Sequence, residues 1–294
     1  MKTTLTLLFI ALTATLPTAA QEAVYTTADS TRVMQLLSAA PEGKTTGEYM
    51  LHFGKALAGT PYVAQTLENP DGERLIINLR QLDCATLVEN ALALSLCMRN
   101  GKKTFSHFMN FIRYMRYERG HVSYASRLHY FTQWLIANQN CNCIVKEVAA
   151  ITSPFNARKQ LRLNFMSKHA DLYPALKDNP AMTDSISAKE KALVYMHRYI
   201  PKSDLRQYSL LRKYINSGDI IAIVTNKEGL DVSHQGIASW HDDGTLHLLN
   251  ASQIHKKVID EPRTLYDYMQ RHPSQMGIRV IRPLDKAAPT WIPE

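Results

Sequence analysis

The chain has 294 residues, of which 45% are hydrophobic and 20% charged, with 12 glycines and 13 prolines; this excludes low-complexity, collagen-like and intrinsically disordered classes. The formal net charge of +8 favours acidic partners, the choices being nucleic acid, anionic lipid or an anionic wall polymer. No nucleic-acid-binding motif is present, which sets nucleic acid aside.

The first residues, "MKTTLTLLFIALTATLPTAAQEA", carry one lysine, an apolar run from Leu5 to Leu16 and small residues before Gln21. This pattern predicts a signal peptide over residues 1–20, too short to span a bilayer and removed on export. A buried helix is the poorer reading, because the segment has no polar face. No cysteine follows the small residues, so no lipid anchor is expected. No other run is long enough to cross a bilayer, so the mature chain is expected in the periplasm without stable membrane insertion. With no internal repeat and no Ser/Gly-rich linker, residues 21–294 are expected to form a single domain.

From Thr31 to Ala58, the apolar residues Val33, Leu36, Leu37, Met50, Leu51 and Leu57 predict two short helices. "ERLIINL" is a candidate strand, and "CATLVENALALSLCMRNG" a strong helix ending at Gly101. Phe105, Phe108, Ile112 and Met115 follow at helical spacing, and Tyr130, Trp134 and Leu135 mark a further helix. Arg113, Arg116 and Arg119, interleaved with tyrosines, are expected on a solvated helix face. Ala157 to Tyr199 reads as mostly helical. The period then changes to strands in "GDIIAIVT", "SHQGIASW", "TLHLLNAS", "HKKVIDE" and "GIRVIRP", with turns at "NKEG" and "DDG". Helices first and an antiparallel meander last predict an α+β fold in which an early helix meets the late strands.

The cysteines are Cys84, Cys97, Cys141 and Cys143. Asp83 is a good N-cap, which puts Cys84 in the first turn of its helix, where unpaired N–H groups and the helix dipole favour a thiolate. The competing reading is a small buried hydrophobe, and the Asp83 charge works against an anionic neighbour. A thiol nucleophile needs an imidazole, and the imidazole needs a polar group to fix its tautomer. His234 begins a strand and is followed by Gly236, which lets another backbone or a substrate approach. Asn250 lies on the next strand, so antiparallel pairing can bring it beside His234. His241, His247 and His255 are near in sequence, but no "HExxH" accompanies them, and neither a metal nor any other cofactor is expected.

"GTPYVAQTLE", "LDCATLVE", "GDIIAI", "SHQGIA" and "LHLLNAS" occur in the order seen in the NlpC superfamily of cell-wall cysteine peptidases and amidases. Within it, "PYVAQTLE", "ERLIINL", "LDCATLVENALAL", "SRLHYF" and "GLDVSHQGI" resemble the N-acetylmuramoyl-L-alanine amidase-like family over nearly the whole mature chain. The resemblance implies a papain-like core with extra helices inserted and the nucleophile helix packed on an antiparallel sheet. It assigns Cys84 as nucleophile, His234 as base and acid, and Asn250, where the family often has histidine, as the residue orienting the ring. It places Tyr62 beside the nucleophile as a substrate or oxyanion contact and Asp83 at one end of the substrate groove. Ser126, Arg127 and His129 in "SRLHYF" are expected to line sugar or peptide subsites, with Arg127 clamping a substrate carboxylate.

The implied substrate is a peptidoglycan fragment, cut between the lactyl group of muramic acid and L-alanine in small, 1,6-anhydro muropeptides. The expected resting state is a Cys84 thiolate with protonated His234. A D-glutamyl–diamino acid endopeptidase would use the same residues, and a non-catalytic wall-binding module would need none of them together.

Overall fold

The computed structural model describes residues 23–285; the expected signal peptide lies outside them. The helices are α1 (Thr27–Ala39), α2 (Thr46–Ala56), α3 (Cys84–Arg99), α4 (Phe105–Arg116), α5 (Phe131–Ile136), α6 (Phe165–Lys168), α7 (Pro180–Ala192), α8 (Tyr208–Leu211) and α9 (Leu265–Gln270). The strands are β1 (Val145–Val148), β2 (Ala157–Arg162), β3 (Val194–Pro201), β4 (Ile220–Thr225), β5 (Val232–Trp240), β6 (Leu246–Ser252), β7 (Lys257–Asp260) and β8 (Gln275–Pro283).

The strands form one antiparallel sheet in the order β2-β3-β8-β4-β5-β6-β7, with β1 also paired to β8. The meander predicted from Gly218 onward is present as β4 to β7, and β8 returns beside β4. Every residue of β4 and β6 is buried, because the sheet is covered on both faces and alternation gives way to continuous apolar runs. One core joins α1 to α5 to one sheet face through Leu87, Ala91, Ile237 and Leu249. The other face packs Ile221, Ile223, Ala238 and Leu248 against Leu211, Leu265 and Met269.

Helix α3 sits between α2, α4 and the β5–β6 part of the sheet. Thirteen of its sixteen residues are buried, so it is apolar nearly all round, as a central helix must be. Gly54 lets α2 close on the sheet: a Cβ there would come within 2.8 Å of Ile237 Cδ1. Gly236 serves backbone approach, since a Cβ would meet the Leu249 carbonyl oxygen at 2.7 Å.

The structure corrects three expectations. "ERLIINL" is no strand of the sheet: Ile76 forms an isolated bridge with Val24, and Leu75 and Ile77 bury themselves beside the helices. The region from Ala157 to Tyr199 begins and ends in strands, β2 and β3, paired from Ala157–Tyr199 to Arg162–Val194. Arg158 and Lys159 stand at successive positions of β2, and a basic pair on both faces hides its two-residue period. Arg116 lies not on a solvated face but buried against Glu89 of α3 at 2.8 Å.

Candidate active site

Asp83 caps α3 reciprocally. Its Oδ1 accepts from the Thr86 N–H and the Thr86 hydroxyl, both at 2.8 Å, and its own N–H donates to Thr86 Oγ1 at 2.9 Å. Cys84 is thereby fixed as the first helical residue, at the positive end of the helix dipole. Strand β5 meets the helix here, and the backbone N–H groups of Gln235, Ala85 and Cys84 itself favour the charged form of the sulfur. Burial first, and the Asp83 carboxylate second, push the Cys84 thiol up to about 12, against the pull of those N–H groups.

His234 precedes Gln235 on β5, and its ring is close enough to the helix end for the Asp83 charge to act on it. Pairing of Ile237 with Leu249 carries Asn250 opposite Gly236, leaving His234 two residues along on the same face. His234 Nε2 lies 3.0 Å from Asn250 Oδ1. Asn250 is fully buried, and its Nδ2 donates to the Leu248 carbonyl at 3.1 Å, which turns its oxygen toward the ring. An amide oxygen only accepts, so Nε2 carries the proton and Nδ1 keeps a free lone pair. Burial holds His234 below the ordinary imidazole range, the Asn250 bond opposes this, and His272 lowers it further.

A raised thiol and a lowered imidazole both favour the uncharged pair. They run against the resting ion pair expected from the sequence, because its separated charges would be desolvated and the thiolate would face Asp83.

Tyr62 is held beside Leu82 by a bridge, and its N–H donates to the Lys256 carbonyl at 2.9 Å. Its hydroxyl is raised by burial, then by the charges of Cys84 and Asp83. Tyr268 of α9 had no clear sequence signal, although Thr264 and Asp267 form a cap before it. Its ring centroid lies 6.4 Å from that of His234; burial raises its hydroxyl, against the pull of the Gln275 side chain.

The "SRLHYF" residues divide. Ser126 closes its own turn, with its hydroxyl bonded to the His121 carbonyl and to Ser123 Oγ. Arg127 is buried, 2.7 Å from Glu68 Oε1 and 3.5 Å from Glu73 Oε1, with its guanidinium over the Tyr124 ring. It is no free clamp for a substrate carboxylate, because two of the chain's own carboxylates already hold it. His129 does line open space. A cavity of about 190 Å³ and a smaller one of about 60 Å³ share His129, Phe131 and Gln235 as walls, and the smaller reaches Ala85 beside Cys84. His129 Nε2 lies 2.8 Å from the Tyr124 carbonyl, so Nε2 donates and Nδ1 is left as an acceptor. Burial, then Arg127, lowers this ring to about 3, so it stays neutral.

The remaining cysteines lie elsewhere, Cys97 in the core and Cys141 and Cys143 exposed, and all four thiols are free. His241 and His247 stack at 3.6 Å, and His255 faces Glu261. No group of three or more His, Cys, Asp or Glu among the described residues is placed to hold a metal.

The family model for N-acetylmuramoyl-L-alanine amidase-like proteins matches residues 52–278. A structure of an N-acetylmuramoyl-L-alanine amidase from Bacteroides uniformis superposes with a TM-score of 0.75 at 36% identity, covering 81% of this chain and 99% of that one. A Bacteroides fragilis protein described as a candidate xylanase gives 0.73 at 40% identity, covering 79% and 99%. A Legionella pneumophila protein, 20% identical, shares the fold with a TM-score of 0.66 over 89% of this chain and 95% of its own. No curated protein matches. On the family match and the Bacteroides uniformis likeness together, this chain belongs to the N-acetylmuramoyl-L-alanine amidase-like family.

Proposed function

We propose that the protein is a cysteine-dependent cell-wall amidase that hydrolyses the amide between the lactyl group of muramic acid and L-alanine in small muropeptides, including 1,6-anhydro forms. The observation that carries this reading is the His234–Asn250 pair, which leaves Nδ1 as a free base near the helix end that starts with Cys84. Asparagine suffices in place of the family's frequent histidine, because the task is to hold a ring rather than to share its proton. A cysteine at a helix head, with its histidine and asparagine on neighbouring strands, supports a papain-like core of NlpC type.

From the neutral pair, Nδ1 takes the thiol proton as sulfur attacks the lactyl carbonyl. The carbonyl π electrons move to oxygen, where the Cys84 N–H and the unpartnered Tyr62 hydroxyl are the donors; one such donor is worth about 2.7–4 kcal/mol. The imidazolium then gives its proton to the alanine nitrogen, the C–N bond breaks, and a thioester remains on Cys84. Water, deprotonated by His234, attacks the thioester; the C–S bond breaks, releasing the lactyl carboxylate, and the thiolate recovers the proton from His234.

A third cavity of about 450 Å³, sharing Glu68 and Tyr124 with the 190 Å³ one, is walled by Glu68 and Glu73 on one side and by Pro174 and Met182 on the other. Walls on both sides suit a small fragment better than a polymer strand. The apolar leader sequence supports export to the periplasm, where such fragments arise. The bond is identified by incubating anhydro and reducing disaccharide-tetrapeptides with the protein and weighing the products. Free disaccharide plus intact tetrapeptide is expected. Disaccharide-dipeptide would make the protein a D-glutamyl endopeptidase, and unchanged substrate a binding module.

A further inference from the structure

The paired strands β2 and β3 carry a surface that takes no part in this chemistry. Its register pairs Arg162 with Val194, Gln160 with Met196 and Arg158 with Arg198, and side chains alternate along a strand, so these residues share one face. Leu161, His197 and Tyr199, at the intervening positions, are buried; the first face is therefore the outer one. Val194 is 71% exposed and Met196 54%. Ile151, 84% exposed, adjoins Arg198 on that face, its carbonyl accepting from the guanidinium at 3.4 Å. Arg158 and Arg162 are exposed, and neither has an ion-pair partner among the described residues. Arg198 donates to the backbone carbonyls of Ile151 and Phe155, so its charge is not neutralised by a carboxylate.

Cations on the edge strand β2 would discourage pairing with another sheet. That explains Arg158 and Arg162 but not the exposed Val194 and Met196 on the neighbouring strand β3. A second copy joined along β2 would set arginine against arginine. A hydrated polyanion would satisfy the arginines and leave the apolar side chains in water. We infer that this face docks on a lipid bilayer surface containing anionic phospholipid. The guanidiniums lie at the level of the phosphates, and Val194, Met196 and Ile151 enter the boundary between headgroups and acyl chains. This is peripheral binding; no helix among the described residues is long and apolar enough to cross a membrane.

The test uses the chain from Gln21 onward and its variants, floated with vesicles of phosphatidylcholine alone or mixed with phosphatidylglycerol. The wild type is expected to partition about ten-fold more strongly onto the anionic vesicles. Arg158→Gln with Arg162→Gln should lose about ten- to thirty-fold of that binding. Val194→Ser with Met196→Ser should lose about ten-fold although every charge remains. Melting curves establish that the variants fold, and Arg162→Gln alone makes the same test with a smaller loss. Equal partitioning onto both vesicle types would overturn the inference. So would wild-type flotation of the Val194/Met196 variant, which would make the face a general polyanion contact. No substrate enters the test, so its outcome is independent of the proposed amidase activity.

Discussion

His234 and Arg127 are both basic side chains drawn in beside the same run of cavities, yet the chain surrounds them in opposite ways. Arg127 meets Glu68, Glu73, the Leu67 carbonyl and the Tyr124 ring, so its charge is consumed by its own neighbours. The His234 ring has one hydrogen-bond partner among the described residues, Asn250, placed on Nε2 so that Nδ1 stays free. A basic group committed to several internal partners holds structure together; one held at a single atom keeps its other atom for chemistry. Both patterns looked equally functional as sequence, and only their partners separate them.

Substitutions at the reaction centre should cost rate, and those at the Arg127 cluster should cost stability. The largest effect is expected for Cys84→Ala, which removes the bond-forming atom and should lower turnover by roughly 10⁴-fold or more. His234→Gln should follow with about 10²–10⁴-fold. Both are checked by product release, with melting curves to show that the fold is kept.

Arg127→Met should destabilise by about 3–5 kcal/mol, because Glu68 and Glu73 lose their counter-charge in a partly dry setting. Urea titration measures the loss, and adding Glu68→Gln and Glu73→Gln should recover part of it. If Arg127→Met instead left stability intact and raised KM alone, the arginine would be a substrate contact after all. Asn250→Ala should be milder for rate, about ten-fold, the effect of about 1–2 kcal/mol from one hydrogen bond that orients the ring.

The smallest effect is on pH dependence. Burial lowers His234 below the ordinary 6.5, so the neutral base should persist, and kcat/KM should hold, somewhat below that pH. His129 and His197, both lowered to about 3 from 6.5 mainly by burial, act on stability in a related sense. Above 6.5 both folded and unfolded states are neutral at these rings; below it the unfolded chain takes up protons that the folded one refuses, so stability falls as pH drops from 6.5 toward 3. Denaturant titration of His129→Gln across that range should show a flatter fall.

Much of the proposed reaction centre's geometry was legible in the sequence because its signals are local. Asp83 before Cys84 is a cap, "SHQGIASW" and "LHLLNAS" alternate as strands, and a short "HDDG" turn sets them side by side. The Arg127 cluster was not legible, since its partner Glu68 is separated from it by 59 residues and nothing nearby reports the pairing. The ends of the Ala157–Tyr199 region were hidden because β2 and β3 expose basic and apolar residues on the same face, against the usual alternation. Tyr268 went unnoticed because α9 is only 6 residues long, too short for a helical period to show.

The most direct measurement is the intact mass of the protein, quenched in acid during turnover of an anhydro disaccharide-tetrapeptide and then digested to locate any adduct. A thioester of the lactyl-sugar acyl group on the peptide that contains Cys84, absent in Cys84→Ala, is the expected result. Undiminished hydrolysis by Cys84→Ala, with no adduct on the wild type, would contradict it and return Cys84 to the role of a packed side chain at the head of α3.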